Sequence, residues 1–134
     1  MDASGRPTKV DAADTKHATG EYLTSEGVKG EAVWATRGRW CSLTGHTGNH
    51  TVTIAIFDSP KNPDYPTYWH ARGYGLFAAN PLGRSIFDPR QPALNFTIEK
   101  NQTAVFQYRV VLYSRNTSAD ELNREADTFA TEYK

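Results

Sequence analysis

Apolar and polar positions alternate most clearly over residues 51–57. Thr53 and Ala55 fall on one side of this stretch, and three β-branched side chains fall on the other: Val52, Ile54 and Ile56. A period of two is the spacing of a β-strand, in which successive side chains point to opposite faces. The pattern therefore predicts a strand.

Two stretches near the C-terminus alternate in the same way. Residues 94–98 and 103–114 each predict a strand, and the turn-forming residues 100–102 separate them. We therefore expect the two strands to pair as an antiparallel hairpin. The side chains predicted on the core faces are Leu94, Phe96 and Ile98 in the first strand and Ala104, Phe106, Tyr108, Val110 and Leu112 in the second.

Shorter apolar stretches predict three further strands, over residues 32–35, 39–43 and 74–79. Residues 45–49 contain two glycines and an asparagine and predict a turn. Residues 58–66 hold three prolines. Because proline cannot donate a ladder hydrogen bond, this segment is predicted to be a stiff loop.

The C-terminal end has a helical pattern. Ser118 and Glu121 have the spacing of a capping box. Apolar residues then recur at helical spacing, which predicts one amphipathic helix; they are Leu122, Ala126, Phe129 and Tyr133. The predicted fold class is mainly β: part of an antiparallel β-sandwich with one C-terminal α-helix, in a domain over residues 21–134 after an irregular lead-in over residues 1–20.

Composition narrows the functional classes. The 134 residues carry 15 Lys+Arg and 15 Asp+Glu, a net charge of zero. This balance argues against nucleic-acid and membrane-surface partners, which favour a basic stripe. No apolar run is long enough for a membrane span, and the first residues lack the apolar segment of a signal peptide. A lone Cys41 rules out an internal disulfide and is predicted to be a buried structural thiol.

The densest group of chemically versatile residues lies in residues 68–74, after the proline-rich loop. His70 can transfer a proton, and Arg72 can bind an anionic oxygen. If the segment is extended, these two share a face with Tyr74, and the three are the predicted catalytic residues. The predicted substrate-binding residues are Tyr68, Trp69 and Asn80, with Tyr68 and Trp69 offering rings that could stack on a sugar.

A structural interpretation of the same residues stays open. Trp69 could be a core residue beside a hydrogen-bonded surface histidine, and Arg72 could pair with Asp58 or Asp64. No metal or other cofactor is predicted, because His46 and His50 lie in a predicted turn with no third ligand nearby. The sequence also lacks GxSxG, HExxH, P-loop and GxGxxG motifs.

Several segments, taken in order, resemble one known family. They are residues 22–31 (YLTSEGVKGE), 34–40 (WATRGRW), 52–58 (VTIAIFD) and above all 69–83 (WHARGYGLFAANPLG). Together they are similar to a bacterial family of unknown function commonly labelled "methane oxygenase PmoA".

The resemblance implies a fold and a ligand class. Members of that family are longer and many are exported, and this chain is similar to their C-terminal portion only. The family looks like a β-supersandwich of the galactose-mutarotase sort and occurs in polysaccharide-utilising bacteria. By this analogy a carbohydrate ligand is expected.

Three functional hypotheses follow. The first is carbohydrate binding or processing at the 68–74 segment, with His70 transferring a proton and Arg72 steadying negative charge. The second is a non-catalytic interaction module, or a relic of a larger enzyme, that self-associates or pairs with the missing N-terminal half. The third, the oxygenase of the family label, is disfavoured because that label belongs to a membrane protein and no metal-ligand set is visible here.

Overall fold

The computed structural model describes residues 20–132, which form two antiparallel sheets and one long helix. The strands are β1 (Glu21–Thr24), β2 (Trp40–Thr47), β3 (His50–Asp58), β4 (Tyr68–Arg72), β5 (Leu76–Asn80) and β6 (Tyr108–Tyr113). The helices are α1 (Arg84–Phe87) and α2 (Ala119–Glu132), and a 3-10 turn covers Gly30–Val33. The predicted fold class is confirmed. Apart from Gly20, the predicted lead-in lies outside the described residues.

The larger sheet has the strand order β1-β2-β3-β6. A tight turn at Gly48, whose φ is 59°, joins β2 to β3. The turn predicted over 45–49 is too long, because Gly45 pairs with Val52 and continues the ladder. Pairing with the regular strand β3 thus overrides the turn preference of that glycine.

The smaller sheet is the hairpin of β4 and β5. Its turn is closed by a 3.1 Å hydrogen bond from the Gly75 N–H to the Arg72 carbonyl. Gly75 has a φ of 97°, which is readily available only to glycine. The strand predicted over 74–79 therefore begins two residues later, at Leu76.

A packed layer lies on each face of the larger sheet. On one face α2 packs over a cluster made of Trp40, Ala55, Phe57, Leu122, Ala126 and Phe129. On the other face the smaller sheet closes a second cluster made of Tyr22, Val33, Cys41, Trp69 and Ala71, against which Ile56 and Phe77 pack. Apolar residues at both odd and even positions of β3 are explained by this arrangement, because each face of the strand meets a different layer. The predicted burial of Cys41 is confirmed.

The strand predicted over residues 32–35 is wrong. The segment forms the end of the 3-10 turn, and its last residue, Ala35, has a φ of 63°. Only Val33 enters the core. The chain then pairs locally with β4: the Ala35 N–H donates to the Trp69 carbonyl, and the Trp69 N–H donates to the Thr36 carbonyl.

The C-terminal hairpin prediction is also wrong in two respects. Residues 94–98 form no ladder, and the long strand is limited to β6. The predicted core face is reversed, because Val110 and Leu112 are exposed whereas Val111 and Tyr113 pack on the α2 side. Both faces of this strand carry apolar residues, so alternation alone could not tell which face meets the helix.

The predicted helix is confirmed as α2, which begins after Ser118. The Ser118 hydroxyl accepts the Glu121 N–H at 3.2 Å, as a cap requires. Glu121 does not complete the capping box and pairs instead with Arg115. The predicted core residues Leu122, Ala126 and Phe129 are buried, and Tyr133 lies outside the described residues.

The predicted loop over residues 58–66 is confirmed except at Asp58, which is the last residue of β3, and a buried polar network holds it. The Asp58 carboxylate accepts the Asn62 amide at 2.7 Å and the Thr67 N–H at 2.9 Å. Burial raises the pKa of Asp58, although these hydrogen bonds partly oppose the shift. Asn62 also bonds both backbone groups of Gln107, with the side-chain amide donating to the carbonyl at 2.6 Å and the side-chain oxygen accepting the N–H at 2.7 Å.

We expect Phe129→Ala to destabilise the protein by about 3–5 kcal/mol, because it leaves a cavity between α2 and the larger sheet. The exposed Arg124→Ala, in the same helix, should change the free energy of unfolding by less than about 0.5 kcal/mol. Urea denaturation followed by circular dichroism measures both. Equal decreases in the free energy of unfolding for the two variants would contradict the packing of Phe129 between α2 and the larger sheet.

Candidate functional site

The 68–74 segment lies mainly on β4, whose alternation separates the predicted site residues. Trp69 and Ala71 point inward to the second core cluster. His70 and Arg72 belong to the opposite, outer face of the smaller sheet, in register with Ala78 and Leu76 of β5.

Trp69 cannot serve as a stacking platform. Its side chain is 0% exposed, and its indole N–H donates to the Gly38 carbonyl at 3.0 Å. The ring packs beside Phe77 at a centroid distance of 6.3 Å. The stacking role predicted for it is therefore corrected: Trp69 is a core residue with a satisfied polar atom.

Tyr68 is also buried, although it belongs to the outer face. Phe87 of α1 stacks on its ring at a centroid distance of 5.3 Å, and the Arg37 guanidinium lies 4.3 Å from the ring centroid. Buried between these groups, the ring has no free face to offer a sugar. Its predicted stacking role is corrected for the same reason.

The remaining predicted residues are accessible but only partly grouped. His70 is half-buried with its ring edge-on to Phe87 at 5.5 Å, and within residues 20–132 its imidazole forms no hydrogen bond. Tyr74 lies in the β4–β5 turn and not on an extended segment with His70, so the predicted continuous face ends at Arg72. The Asn80 side-chain oxygen accepts the Leu82 N–H at 3.2 Å and stabilises the turn after β5.

Sequence reasoning missed Trp34 as part of this surface, because the apolar run around it predicts a strand. Trp34 is partly exposed; the Arg72 guanidinium lies 4.3 Å from its ring centroid, and Phe87 meets it edge-on at 5.6 Å. Arg72 thus makes a cation–π contact and not the ion pair with Asp58 or Asp64 that was the structural alternative. The indole N–H of Trp34 is buried without a partner among the described residues.

An ionic network fixes the edge of this surface. Oδ1 of Asp64 accepts Arg37 at 3.1 Å and Arg84 at 2.5 Å, and Arg37 also donates to the Asp64 and Pro66 carbonyls. Burial acts to raise the pKa of Asp64, but the hydrogen bonds from Arg84 and Arg37 outweigh it and lower the pKa. The network joins the proline-rich loop to α1.

A polar cleft of about 400 Å³ opens on the helix-covered face of the larger sheet. It is lined by Glu21, Leu23, Lys29, Ser42, Thr44, His46, Thr51, Asn116 and Thr117. Nδ1 of His46 and the Thr51 hydroxyl are 3.1 Å apart, and the Thr117 hydroxyl is buried without a partner among the described residues. This cleft was not predictable from the sequence, because the ladder of β1, β2 and β3 brings most of its residues together and the others come from the segments after β1 and β6.

A family model covers residues 6–127 and is described as a family of unknown function, DUF6807. The chain belongs to the DUF6807 family. This confirms membership of a family of unknown function; the description mentions neither an oxygenase nor a carbohydrate. Comparisons of the DUF6807 chain with curated proteins and with solved structures find no match.

Two further features of the DUF6807 chain bear on its chemistry. In residues 20–132, no three His, Cys, Asp or Glu side chains are grouped as a metal site would need. None of the helices in that part of the chain has the length and apolar character to cross a membrane. The accessible groups at the outer face are the cation–π pair of Arg72 and Trp34 and the imidazole of His70, and the phenol of Tyr74 lies in the adjoining turn.

We expect Asp64→Asn to destabilise the DUF6807 chain at neutral pH, because it removes the charge that both Arg37 and Arg84 contact. Since the folded pKa of Asp64 lies below its ordinary value of 3.8, its stabilising effect is complete above that pH and is lost as the pH falls through the folded pKa. We expect urea denaturation of the wild type and of Asp64→Asn, measured from pH 7 to pH 2, to give free energies of unfolding whose difference becomes smaller only below about pH 3.8. The exposed Asp120→Asn serves as control, and a pH-independent difference for Asp64→Asn would contradict the assignment.

Proposed function

We propose that this DUF6807 chain is a non-catalytic interaction module, and that it associates with another chain through the exposed apolar residues of its edge strand β6. The observation that carries the proposal is the exposure of apolar side chains on β6. Val110 is 56% exposed and Leu112 is 70% exposed, side by side on one face of a regular strand. Contiguous exposed apolar surface of this kind is typical of interaction sites.

The smaller sheet leaves this region uncovered because it has only two strands. It packs over Tyr22 and Cys41 of β1 and β2 and reaches Ile56. Further along the same face, Leu112 lies in register with Ile54 of β3. A shallow apolar cavity of about 190 Å³ next to Ile54 shows the same lack of cover.

The segment before β6 adds to the exposed apolar surface. Residues 94–107 form an arm whose two limbs meet through Phe96 and Phe106, with ring centroids 5.6 Å apart. Ile98 and Val105 on this arm are both more than half exposed. Burying a Leu or Val side chain fully is worth roughly 1.5–3 kcal/mol, so a partner covering β6 and the arm would gain substantially.

We expect the wild-type chain to associate as its concentration rises, and Leu112→Thr to weaken that association roughly tenfold or more, since one buried leucine is worth at least 1.4 kcal/mol. Light scattering over a wide concentration range measures the effect. The matched control is Ile86→Thr, which changes a side chain 76% exposed on α1, away from β6. A monomer at every concentration, or association that Leu112→Thr leaves unchanged, would overturn the proposal.

The second candidate function is carbohydrate binding at the outer face of the smaller sheet. The specific observation in its favour is the partly exposed Trp34 ring beside Arg72, with His70 on the same face and Tyr74 in the adjoining turn. An aromatic ring edged by hydrogen-bonding groups suits a sugar. In a catalytic version, His70 would transfer a proton and Arg72 and Tyr74 would stabilise developing negative charge.

If this second function holds, Arg72→Ala and His70→Ala should each weaken sugar binding roughly tenfold or more, because each removes a hydrogen-bonding group. The probes are neutral mono- and disaccharides, and isothermal titration calorimetry measures their dissociation constants for the wild type and the variants. Lys61→Ala, exposed in the proline-rich loop, should bind like the wild type. Binding that survives both outer-face substitutions would place the sugar elsewhere, and no binding of any probe would remove this candidate.

A further inference from the structure

We propose that the partner of β6 is a second copy of this chain, whose own β6 pairs antiparallel with the outer edge of this strand about a twofold axis at Val111. This inference rests on the proposed interaction function and names its partner and its register. The two larger sheets would thereby become one continuous sheet.

The position of β6 supports a strand as the partner. It is the last strand of the order β1-β2-β3-β6, and among residues 20–132 it pairs only with β3. Its outer edge therefore presents unpaired backbone N–H and C=O groups, which another strand satisfies. An added strand would also place its own side chains beside the exposed apolar residues of β6.

Charge and face restrict the register. A twofold axis perpendicular to the sheet places the same face of both copies on the same side. Two directly opposed residues must therefore both have even numbers or both have odd numbers. Centring the pair at position 109 would oppose Arg109 to its own copy, and centring it at 112 would oppose Arg109 to Arg115. Like charges directly opposite are destabilising, so these two registers are disfavoured.

Centring the pair at Val111 gives the best match of side chains. Val110 of each copy then lies opposite Leu112 of the other, so the two most exposed apolar residues of β6 contact each other and each is partly covered. Arg109 then lies opposite the uncharged Tyr113, so like charges do not face each other across the pair. The alternative centre at position 110 opposes Arg109 to the apolar Val111, a poorer pair.

Residues 1–19 of the same chain are a poor alternative occupant on composition alone. Met1 and Val10 are their only large apolar side chains, against six Lys, Arg, Asp and Glu in the same stretch: Asp2, Arg6, Lys9, Asp11, Asp14 and Lys16. A segment of this kind cannot replace the alternating apolar residues of a strand. A second copy supplies those residues through the same β6.

Single-cysteine variants test the register. We expect an equal mixture of Val110→Cys and Leu112→Cys chains to form the mixed disulfide in oxidised glutathione roughly tenfold faster than either variant forms its own dimer, because thiols held opposite each other have effective concentrations in the millimolar range. Directly opposed residues have Cα atoms about 4.5–5.5 Å apart, within disulfide reach. The native Cys41 is fully buried, and burial raises its pKa, so it stays unreactive.

Ile86→Cys controls for random collision, and circular dichroism checks that each variant folds. Faster self-linking of Val110→Cys would point to the other centre and overturn the inference. Association that Leu112→Thr weakens, without the mixed disulfide, would overturn the second-copy register and leave the proposed interaction function standing. A chain that is monomeric at all concentrations would overturn both.

Discussion

The larger sheet has apolar side chains on both of its faces, and the layer that packs on one of them is narrower than the sheet. Helix α2 covers one side through a continuous cluster around Trp40 and Phe57. On the other side, a two-stranded sheet faces a four-stranded one. The cover therefore stops near Ile56, and the remaining width of the sheet, with Leu112 at its edge, stays open. This difference in strand number determines which part of the face is packed and which part stays exposed.

The outer face of the smaller sheet differs in how its polar and aromatic groups are used. Phe87 and Arg37 both pack against the ring of Tyr68, and Arg72 packs against the ring of Trp34. These contacts fix the small hairpin to α1 and to the loop after the 3-10 turn. Such a surface is pre-organised, because few side chains would have to be ordered on binding. However, most of its aromatic surface is already in contact with other side chains of the same chain.

The regular elements were predictable wherever one local rule was decisive. Alternation alone located β3, and the Ser118 cap with its helical spacing located α2. Which face of β6 is exposed was not predictable, because the strand has apolar residues at both even and odd positions. The buried face is determined by the packing of α2. Likewise the burial of Trp69 depends on the larger sheet across from it, and the backbone turn at Ala35 hid the role of Trp34. Tertiary context, and not local propensity, decided each of these.

Both ends of β6 are clamped to neighbouring elements by single side chains. At its start Asn62 holds both backbone groups of Gln107, and just beyond its end the buried Thr53 hydroxyl donates to the Arg115 carbonyl at 2.9 Å. A slip along β3, or an exchange of this strand between molecules, would leave those buried polar groups unsatisfied. These hydrogen bonds therefore oppose domain swapping, and in the proposed dimer each β6 would remain in its own sheet.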